Sequence, residues 1–474
     1  MRACLFDRDR FPFAILFVGL LFAACLMPAQ SDTWWQLRAG EEMWRSGRIM
    51  LRDEFTHTVA GQPWPNHEWL SQIVFFGAYQ LGGMPLLTMM CAVAVTAAWA
   101  IVISLTPGVP LARVALVAAA AISSADSWTV RPQVFTLTLF ATTLWILVRR
   151  RGVWVLPAMF VIWANLHGGV SLGGLLIVAA AIASMLSRDG ETRTLAGIGA
   201  LCLAGTFLTP LGWSLWLEIP RSLARLHSYG VLEWRAPGFS QATDIVFWIA
   251  GAATLAVIVV KRQMIRSSVP STLAVSTVLL FLLAARSARH IPEFFLCAAP
   301  AVATLCKFGS ERRAPAARSR SMVVPNAALF AFTTASAVLF VVNAWHEPLP
   351  RLRWTPLPVQ TMAAISDCPG RLYNRYDEGG YLIWFMKDRK VFIDSRQDPF
   401  PDDLVLEHIR VEQSGDYQTM FDRYDIACAL TPAGSILGGH LHRDGWSEHR
   451  GGGPWIVYTR PATAPSPTVY NNFR

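Results

Sequence analysis

The stretch from Phe11 to Gln36 reads FPFAILFVGLLFAACLMPAQSDTWWQ, an apolar run that ends at a carboxylate and two tryptophans. A run of this kind is typical of a helix that crosses a membrane, which needs about 20 mostly apolar residues. Three arginines precede it, as in a signal peptide, but Met27-Pro28-Ala29-Gln30 is a poor match to a cleavage site. We therefore interpret residues 11–29 as the first spanning helix.

The composition agrees with a membrane protein. The chain has 474 residues, of which 53% are apolar and only 15% are charged, whereas a soluble domain carries about 25% charged residues. Its mean hydropathy of +0.37 excludes a soluble enzyme, a disordered chain and a secreted disulfide scaffold. The net charge of +9 does not indicate a nucleic-acid partner, because membrane proteins collect Lys and Arg on one side.

Similar apolar runs recur as far as Trp345, and one of them is too long for a single helix. Residues 153–186 would reach roughly 51 Å as one helix, so we expect a hairpin that turns at Asn165–Gly169. The sequence then predicts an α-helical polytopic protein with eleven spans, at 11–29, 84–105, 109–124, 132–148, 153–166, 168–186, 194–210, 242–260, 269–285, 291–306 and 323–343.

The distribution of Lys and Arg predicts the orientation. With the N-terminus inside, the inside segments hold 16 of these residues, whereas the longer outside loops hold 10, as the positive-inside rule requires. Glu68–Leu81 is too short to span, and a span there would reverse every later loop. We therefore predict an amphipathic helix on the outer surface, and Leu211–Leu226 resembles another. Everything after Trp345 then lies outside.

The part of the chain after residue 345 has a different, polar composition. The sequence predicts a membrane domain over 1–344 with an outside first loop at 30–83, a small α/β domain over 345–460 and a Pro-rich tail over 461–474. Cys368 and Cys428 either pair there or remain two buried thiols. The predicted elements are strands at Gly380–Phe385, Lys390–Ile393, Ile426–Leu430 and Trp455–Thr459, and helices at Asp402–Ser414 and Asp416–Tyr424.

The first outside loop contains the clearest candidate for catalysis. Asp32 follows the first helix directly, and a carboxylate at the membrane boundary can act as general base towards a hydroxyl. Alternatively, Asp32 caps a helix that follows it. Further candidates for substrate binding in the same loop are Asp53, Glu54, His67 and Glu68.

Several arginines lie in outside segments, against the charge rule. An arginine at the membrane boundary costs free energy unless it is paired or binds an anion, and its guanidinium suits phosphate. We expect either a lipid-phosphate site or pairing with acids such as Glu218 and Glu293. The set is Arg131, Arg221, Arg225, Arg235, Arg286 and Arg289, with His290 beside the last and His167 at the tip of the hairpin.

The terminal domain carries two motifs, at Tyr373–Trp384 and at Val391–Asp398. The second is a strand followed by alternating charges, which favours a fixed salt-bridge network over sugar binding. The sequence contains no P-loop, no GxGxxG, no HExxH and no GxSxG. Nucleotide-driven transport and the familiar hydrolase chemistries therefore have no support.

The motifs resemble a group of bacterial membrane proteins similar to the GT-C superfamily of glycosyltransferases. Those that carry the resemblance are Asp-x-Trp-Trp at Asp32–Trp35, Arg-Asp-Glu-Phe-Thr-His-Thr at Arg52–Thr58, the His-Glu-Trp-Leu start of a helix at His67, and the two terminal motifs. The protein mannosyltransferases and the lipid A aminoarabinose transferases are examples of the superfamily.

The resemblance implies an enzyme in the inner membrane, with its N-terminus cytoplasmic and its terminal domain periplasmic. Asp32 would be the base, the donor a sugar on a polyprenyl phosphate, and the product inverted at the anomeric carbon. The phosphate of the donor would be held by Arg131, Arg289 and His290. Many members have an acidic pair where this chain has Asp32-Thr33. It stays open whether Asp32 acts with another acid, and whether a divalent cation takes part, since a lone carboxylate holds Mg²⁺ poorly.

Three other functions compete with this one. A polysaccharide polymerase or O-antigen-ligase-like enzyme shares the number of spans, but it would be expected to use arginines and a histidine in one large late loop. A flippase or transporter would be expected to carry charges at the centre of a span. A non-catalytic scaffold would present the terminal domain to an envelope partner. The acceptor, whether glycan, lipid or protein, is not specified by the sequence.

Overall fold

The structure is a computed structural model that describes residues 6–7, 9–218, 220–221, 234–307 and 322–461. The chain forms two compact units. The helical unit is made of Met1–Gln30, Ala39–Ile49 and Pro65–Trp354, and the terminal unit is made of Ser31–Arg38, Met50–Trp64 and the chain from Thr355 onwards. Parts of the first loop therefore belong to the terminal unit.

The helical unit is an assembly of apolar helices. The helix at 69–105 packs against those at 11–25 and 133–149, and the helix at 268–286 packs against those at 170–187 and 291–306. The helices are Phe11–Cys25, Trp69–Leu105, Pro110–Ile122, Gln133–Arg149, Leu156–Leu166, Val170–Ser187, Thr192–Gly205, Ala242–Val260, Ser268–Arg286, Ile291–Cys306 and Val323–His346.

Within the described residues, five helices are long and apolar enough to cross a membrane, and several shorter apolar helices accompany them. The protein is therefore a multi-pass membrane protein, while the count of eleven spans is not confirmed. The five helices are Trp69–Leu105, Val170–Ser187, Ala242–Val260, Ser268–Arg286 and Val323–His346.

Two breaks in the helices fall near predicted positions. The backbone leaves the helical conformation at Gly82 and Gly83, and Gly83 has φ 61° and ψ −158°, a combination open almost only to glycine. This kink separates the helix predicted at 68–81 from the span predicted at 84–105. The hairpin is confirmed, because one helix ends at Leu166 and the next begins at Val170. Of the interfacial helix predicted at 211–226, residues 211–218, 220 and 221 are described, with a 3-10 helix at Gly212–Ser214, and the remaining positions lie outside the described residues.

The terminal unit is built on a four-stranded sheet. The strands are β1 (Arg371–Tyr373), β2 (Ile426–Pro432), β3 (Ser447–Arg450) and β4 (Trp455–Thr459), in the order β1-β2-β4-β3. β1 and β2 are parallel and the other pairs are antiparallel. The helices that lie wholly in this unit are Val359–Ser366, Tyr376–Phe385, Asp402–Ser414, Gln418–Arg423 and Ile436–Arg443.

Two of the predicted strands are wrong. Residues 380–385 belong to the helix Tyr376–Phe385, whose first turn carries Asp377, and a carboxylate there favours a helix. Lys390–Ile393 is extended but forms only an isolated bridge, from Val391 to Thr56. The strands predicted at 426–430 and 455–459 and the helices predicted at 402–414 and 416–424 are confirmed within about two residues. The predicted tail lies, from residue 462, outside the described residues.

Cys368 and Cys428, which are 60 positions apart in the sequence, form a disulfide with their Cα atoms 6.1 Å apart. The bond joins the loop before β1 to the middle of β2. Of the two alternatives that the sequence left open, the structure has the paired one.

Candidate active site

Asp32 is the second residue of the helix Ser31–Ser46 and is half-buried. It does not precede the helix, as a capping residue would. Its Oδ1 accepts a hydrogen bond from Ser395 Oγ at 2.5 Å and another from Trp35 Nε1 at 3.2 Å. Trp35 Nε1 also lies 3.1 Å from Ser395 Oγ. Two donors on one oxygen fix the plane of the carboxylate.

Close packing of the helix Tyr376–Phe385 positions the start of the Asp32 helix. A Cβ atom on Gly380 would lie 2.1 Å from the carbonyl oxygen of Ser31, and one on Gly379 would lie 2.1 Å from that of Ile393. The Gly380 amide donates to Ser31 Oγ at 3.1 Å. The Gly-Gly step of the motif thus serves close packing of a helix, where the sequence predicted a strand from Gly380.

A buried ion-pair network lies next to Ser395 in the chain. The guanidinium of Arg396 donates to Asp53 Oδ1 at 2.5 Å and to both oxygens of Asp394, and all three side chains are fully buried. Arg396 also lies over the ring of Trp64 at 4.7 Å. Burial alone would lower the pKa of Arg396, but the charges and hydrogen bonds of Asp394 and Asp53 raise it above its usual value.

Both carboxylate oxygens of Asp53 are therefore bound to groups of the protein itself. Its second oxygen accepts from the Thr56 amide at 3.1 Å and from Thr56 Oγ1 at 2.7 Å. A role in substrate binding stays a prediction for Asp53, and its burial argues against direct contact with substrate. Glu54, in contrast, is exposed.

The segment that carries Asp53 is attached to the terminal motif by backbone hydrogen bonds. The His57 amide donates to the Val391 carbonyl at 3.0 Å, and the Val391 amide donates to the Phe55 carbonyl at 3.0 Å. Thr58 Oγ1 donates to the Phe392 carbonyl at 2.7 Å. The first-loop motifs at Asp32–Trp35 and Arg52–Thr58 therefore form one substructure with the terminal motif Val391–Asp398.

A second polar cluster lies in the helical unit and contains three of the predicted residues. Glu68 Oε1 lies 3.4 Å from His167 Nε2 and 3.8 Å from His67 Nε2. On its other side, His167 Nδ1 accepts from Thr136 Oγ1 at 2.8 Å and from the Gly169 amide at 3.1 Å. Because Nδ1 accepts both bonds, a neutral His167 carries its proton on Nε2, which faces Glu68.

Electrostatics keep His167 neutral. Burial, together with the charges of Arg289, His67 and Arg131, holds the pKa of His167 well below its usual value. Burial beside Arg289 likewise lowers the pKa of His290 to about 4. At neutral pH His290 can therefore bind an anion only by donating a hydrogen bond from its uncharged ring. The positive charge of such a site must come from the arginines.

The predicted arginines have different surroundings. Arg131 donates to Gln30 at 2.6 Å, and the Arg289 guanidinium lies 4.8 Å from the centre of the Trp234 ring. Two others pair with acids, as the alternative interpretation expects: Arg221 with Glu218 at 2.8 Å and Arg235 with Asp244 at 2.6 Å. Arg225 lies outside the described residues.

Reasoning from the sequence missed two residues of the terminal motifs, one that contacts Asp32 directly and one that holds the first in place. Ser395 donates to Asp32, and the hydroxyl of Tyr376 donates to the Ser395 carbonyl at 3.0 Å. Burial and the charge of Asp32 raise the pKa of Tyr376 well above its usual value, so this hydroxyl stays a donor. Among the described residues, no group of three or more His, Cys, Asp or Glu is arranged to hold a metal ion.

Solved structures match this chain in fold. Archaeal oligosaccharyltransferase AglB from Archaeoglobus fulgidus, in complex with an inhibitory peptide and a dolichol-phosphate, gives a TM-score of 0.57 at 10% identity over 89% of this chain and 69% of that chain. The Archaeoglobus fulgidus oligosaccharyltransferase tethered to an acceptor peptide with the NVT sequon gives 0.54 at 11% identity, over 90% and 69%. The chain shares the fold of these two oligosaccharyltransferase structures over most of its length.

The GT-C resemblance drawn from the motifs is thereby confirmed at the level of the fold. ArnT from Cupriavidus metallidurans, bound to undecaprenyl phosphate, gives a TM-score of 0.49 at 13% identity over 96% of this chain and 98% of that chain, which is too low to support a conclusion. No protein-family model matches the chain, and no curated protein matches it.

Proposed function

We propose that this protein is a membrane glycosyltransferase that moves a sugar from a polyprenyl-phosphate carrier to an acceptor outside the cytoplasm. The observation that carries the proposal is the half-buried Asp32 carboxylate, held on one oxygen by Ser395 and Trp35. A carboxylate with a fixed orientation is suited to take a proton from a hydroxyl. The shared fold supports the choice of donor, since one structure with that fold holds a dolichol-phosphate.

The reaction is a single displacement. The acceptor oxygen attacks the anomeric carbon and forms the new glycosidic bond, while its proton passes to the Asp32 carboxylate. The bond between the anomeric carbon and the phosphate oxygen breaks, and the polyprenyl phosphate leaves with the electron pair. Attack from the face opposite the phosphate inverts the configuration. Positioning and neutralisation of charge supply most of the rate in such a step.

The helical unit contributes candidates for binding the phosphate. Arg131 and Arg289 both act on the charge state of His167, and a guanidinium pairs well with phosphate oxygens. We assign the phosphate to these two arginines, with His290 as a neutral donor, and the polar groups of Glu68, His67 and His167 to binding of substrate. The acceptor is a cell-envelope glycan, lipid or protein.

The test uses purified protein in detergent with a panel of radiolabelled polyprenyl-phosphate sugars, and total membrane lipid and glycan as acceptors. We expect label transfer by wild type and its loss in Asp32→Asn, which keeps the shape of the side chain and removes the base. Asp388→Asn is the matched control, because Asp388 is an exposed carboxylate of the terminal unit. Full activity of Asp32→Asn would refute the assignment of the base.

The same assay separates the competing functions. A flippase or a scaffold transfers no label in detergent, where there are no two sides of a membrane to connect. For a polymerase or ligase, transfer would persist in Asp32→Asn and would be lost when Arg131 or Arg289 is replaced by alanine. The proposed transferase predicts a different result. Asp32→Asn abolishes transfer, and the arginine variants only bind the donor more weakly.

A further inference from the structure

Ser395 joins the terminal motif to the Asp32 carboxylate. The two residues are 363 positions apart, and Ser395 Oγ donates to Asp32 Oδ1 at 2.5 Å. Hydrogen bonds between a hydroxyl and a carboxylate are among the short and strong ones in proteins. Trp35 lies on the same helix as Asp32 and gives another donor, whereas Ser395 donates from a distant part of the chain.

The backbone around Ser395 is held on both sides. The Tyr376 hydroxyl donates to its carbonyl at 3.0 Å. Directly before it, the Asp394 carboxylate accepts from the Arg396 amide at 3.0 Å. Two residues later, Gln397 has φ 64°, a left-handed conformation that a residue with a side chain adopts at a cost and that is typical of sites with a fixed geometry. The hydroxyl of Ser395 is thus presented from a rigid turn.

Asn374 fixes the strand-like segment that leads into this turn. Its side-chain amide donates to the Ile393 carbonyl at 2.7 Å, and its side-chain oxygen accepts from the Phe392 amide at 2.8 Å. The buried ion pair of Arg396 with Asp394 then closes the turn. None of these contacts uses the Ser395 hydroxyl, so the turn does not depend on it.

We propose that Ser395 is a positioning residue for the Asp32 carboxylate, so that the terminal motif Val391–Asp398 takes part in the transfer reaction through this hydroxyl. The inference rests on the proposed function of Asp32 as base. With one carboxylate oxygen bound to Ser395 and Trp35, rotation about the Cβ–Cγ bond of Asp32 is restricted and the direction of the second oxygen is fixed. Ser395 itself touches neither the sugar nor the phosphate in this mechanism.

A positioning role has a distinct kinetic effect. Loss of the Ser395 hydroxyl leaves substrate binding intact and lets the base leave its productive orientation, so kcat falls while KM for the donor stays within about twofold. A hydrogen bond to a charged group has a strength that corresponds to a roughly 10- to 100-fold change in rate. A purely structural role would instead lower the unfolding temperature and the amount of active protein.

The experiment compares wild type, Ser395→Ala, Ser395→Thr and Asp32→Asn in the transfer assay, with thermal unfolding measured on the same samples. We expect Ser395→Ala to lower kcat roughly 10- to 100-fold at unchanged KM and unchanged unfolding temperature. Ser395→Thr keeps the hydroxyl and recovers most of the rate. Ser414→Ala is the matched control, because Ser414 Oγ bonds only to nearby backbone groups, donating to the Arg410 carbonyl and accepting from the Asp416 amide.

The outcomes separate the inference from the proposed function. If Asp32→Asn is inactive and Ser395→Ala has the wild-type kcat, the positioning role is wrong and the function of Asp32 stands. If Ser395→Ala unfolds at a lower temperature and Ser395→Thr does not recover the rate, Ser395 is structural and the inference is overturned. If wild type transfers no label from any donor, both proposals fail.

Discussion

Arg396 Nη2 lies 2.5 Å from Oδ1 of Asp53, a residue 343 positions earlier in the sequence. Both side chains are fully buried, and the guanidinium also binds Asp394. The single cation thus pairs with one carboxylate from the first loop and with one from the terminal motif. A buried ion pair contributes little net stability against an apolar replacement, but its disruption is costly because it leaves a buried charge without a partner.

Replacement of Arg396 by alanine is expected to destabilise the terminal unit by about 3–5 kcal/mol, since two buried carboxylates lose their partner. Arg396→Lys should recover only part of this, because an ammonium group cannot reproduce the two-pronged contact. Thermal unfolding in detergent and limited proteolysis measure the effect. Arg410→Ala, at an exposed arginine of the helix Asp402–Ser414, is the control. Wild-type unfolding of Arg396→Ala would contradict the role of the network.

Gly380→Ala tests the close packing that holds the Asp32 helix. The added methyl group would lie 2.1 Å from the Ser31 carbonyl oxygen, so the backbone must shift, and overpacking of this kind costs about 1–3 kcal/mol. Because Ser31 precedes Asp32, transfer activity should fall as well. Both unfolding temperature and kcat are measured.

Gly439→Ala is the matched control for this substitution. Gly439 lies in the helix Ile436–Arg443 and has nothing within 4 Å of an added Cβ. Alanine there should be neutral or stabilise the protein by about 0.5–1 kcal/mol, since glycine is a poor helix residue. Equal behaviour of the two variants would show that the packing at Gly380 is looser than the structure indicates.

The sequence was informative where the signal is local. The hairpin at Asn165–Gly169 and the helix after Glu68 follow from run lengths and polar breaks, and the structure contains both. Periodicity failed at 380–385, because a short apolar run next to two glycines does not distinguish a strand from a tightly packed helix. The helix forms because Gly379 and Gly380 fit against neighbouring backbone.

The composition of the candidate site could be predicted only in part. Asp32 was singled out from its place after the first apolar helix. His67, Glu68 and His167 were predicted separately, and the structure brings their side chains together. The partners of Asp32 and Asp53, which are Ser395 and Arg396, could not be found, because contacts over more than 340 residues leave no trace in local patterns. The charge alternation at Asp394–Asp398 predicted a salt-bridge network, and one is present there.

The disulfide between Cys368 and Cys428 should stabilise the terminal unit. For a loop of 60 residues, the loss of chain entropy in the unfolded state corresponds to about 4 kcal/mol. Reduction, or Cys368→Ser, should therefore lower the unfolding temperature, whereas Cys306→Ser removes a thiol without a disulfide. Mass spectrometry of the alkylated protein checks the bond itself. Two free thiols at these positions in protein from intact cells would also contradict an outside location for the unit.

Glu378 should make stability fall as the pH rises. Burial raises the pKa of Glu378 to about 8, so between its unfolded pKa of about 4.5 and this value the folded state holds a proton that the unfolded state has lost. The stability that this group contributes is complete below about pH 4.5 and is lost as the pH rises from there to about 8, by an amount on the order of 5 kcal/mol.

The glutamine of Glu378→Gln is uncharged in both the folded and the unfolded state. The substitution should therefore remove the part of the pH dependence of stability that comes from Glu378. The comparison is clearest between about pH 6.5 and 8, because His408, whose pKa burial lowers to about 4, titrates only below this range in both the folded and the unfolded chain. Unfolding temperatures of wild type and Glu378→Gln should diverge over this interval, with the variant more stable at pH 8. Asp388→Asn, at an exposed carboxylate, should run parallel to wild type. A parallel curve for Glu378→Gln would mean that Glu378 is ionised in the folded protein, and that its buried surroundings hold the charge through contacts with groups such as Arg375.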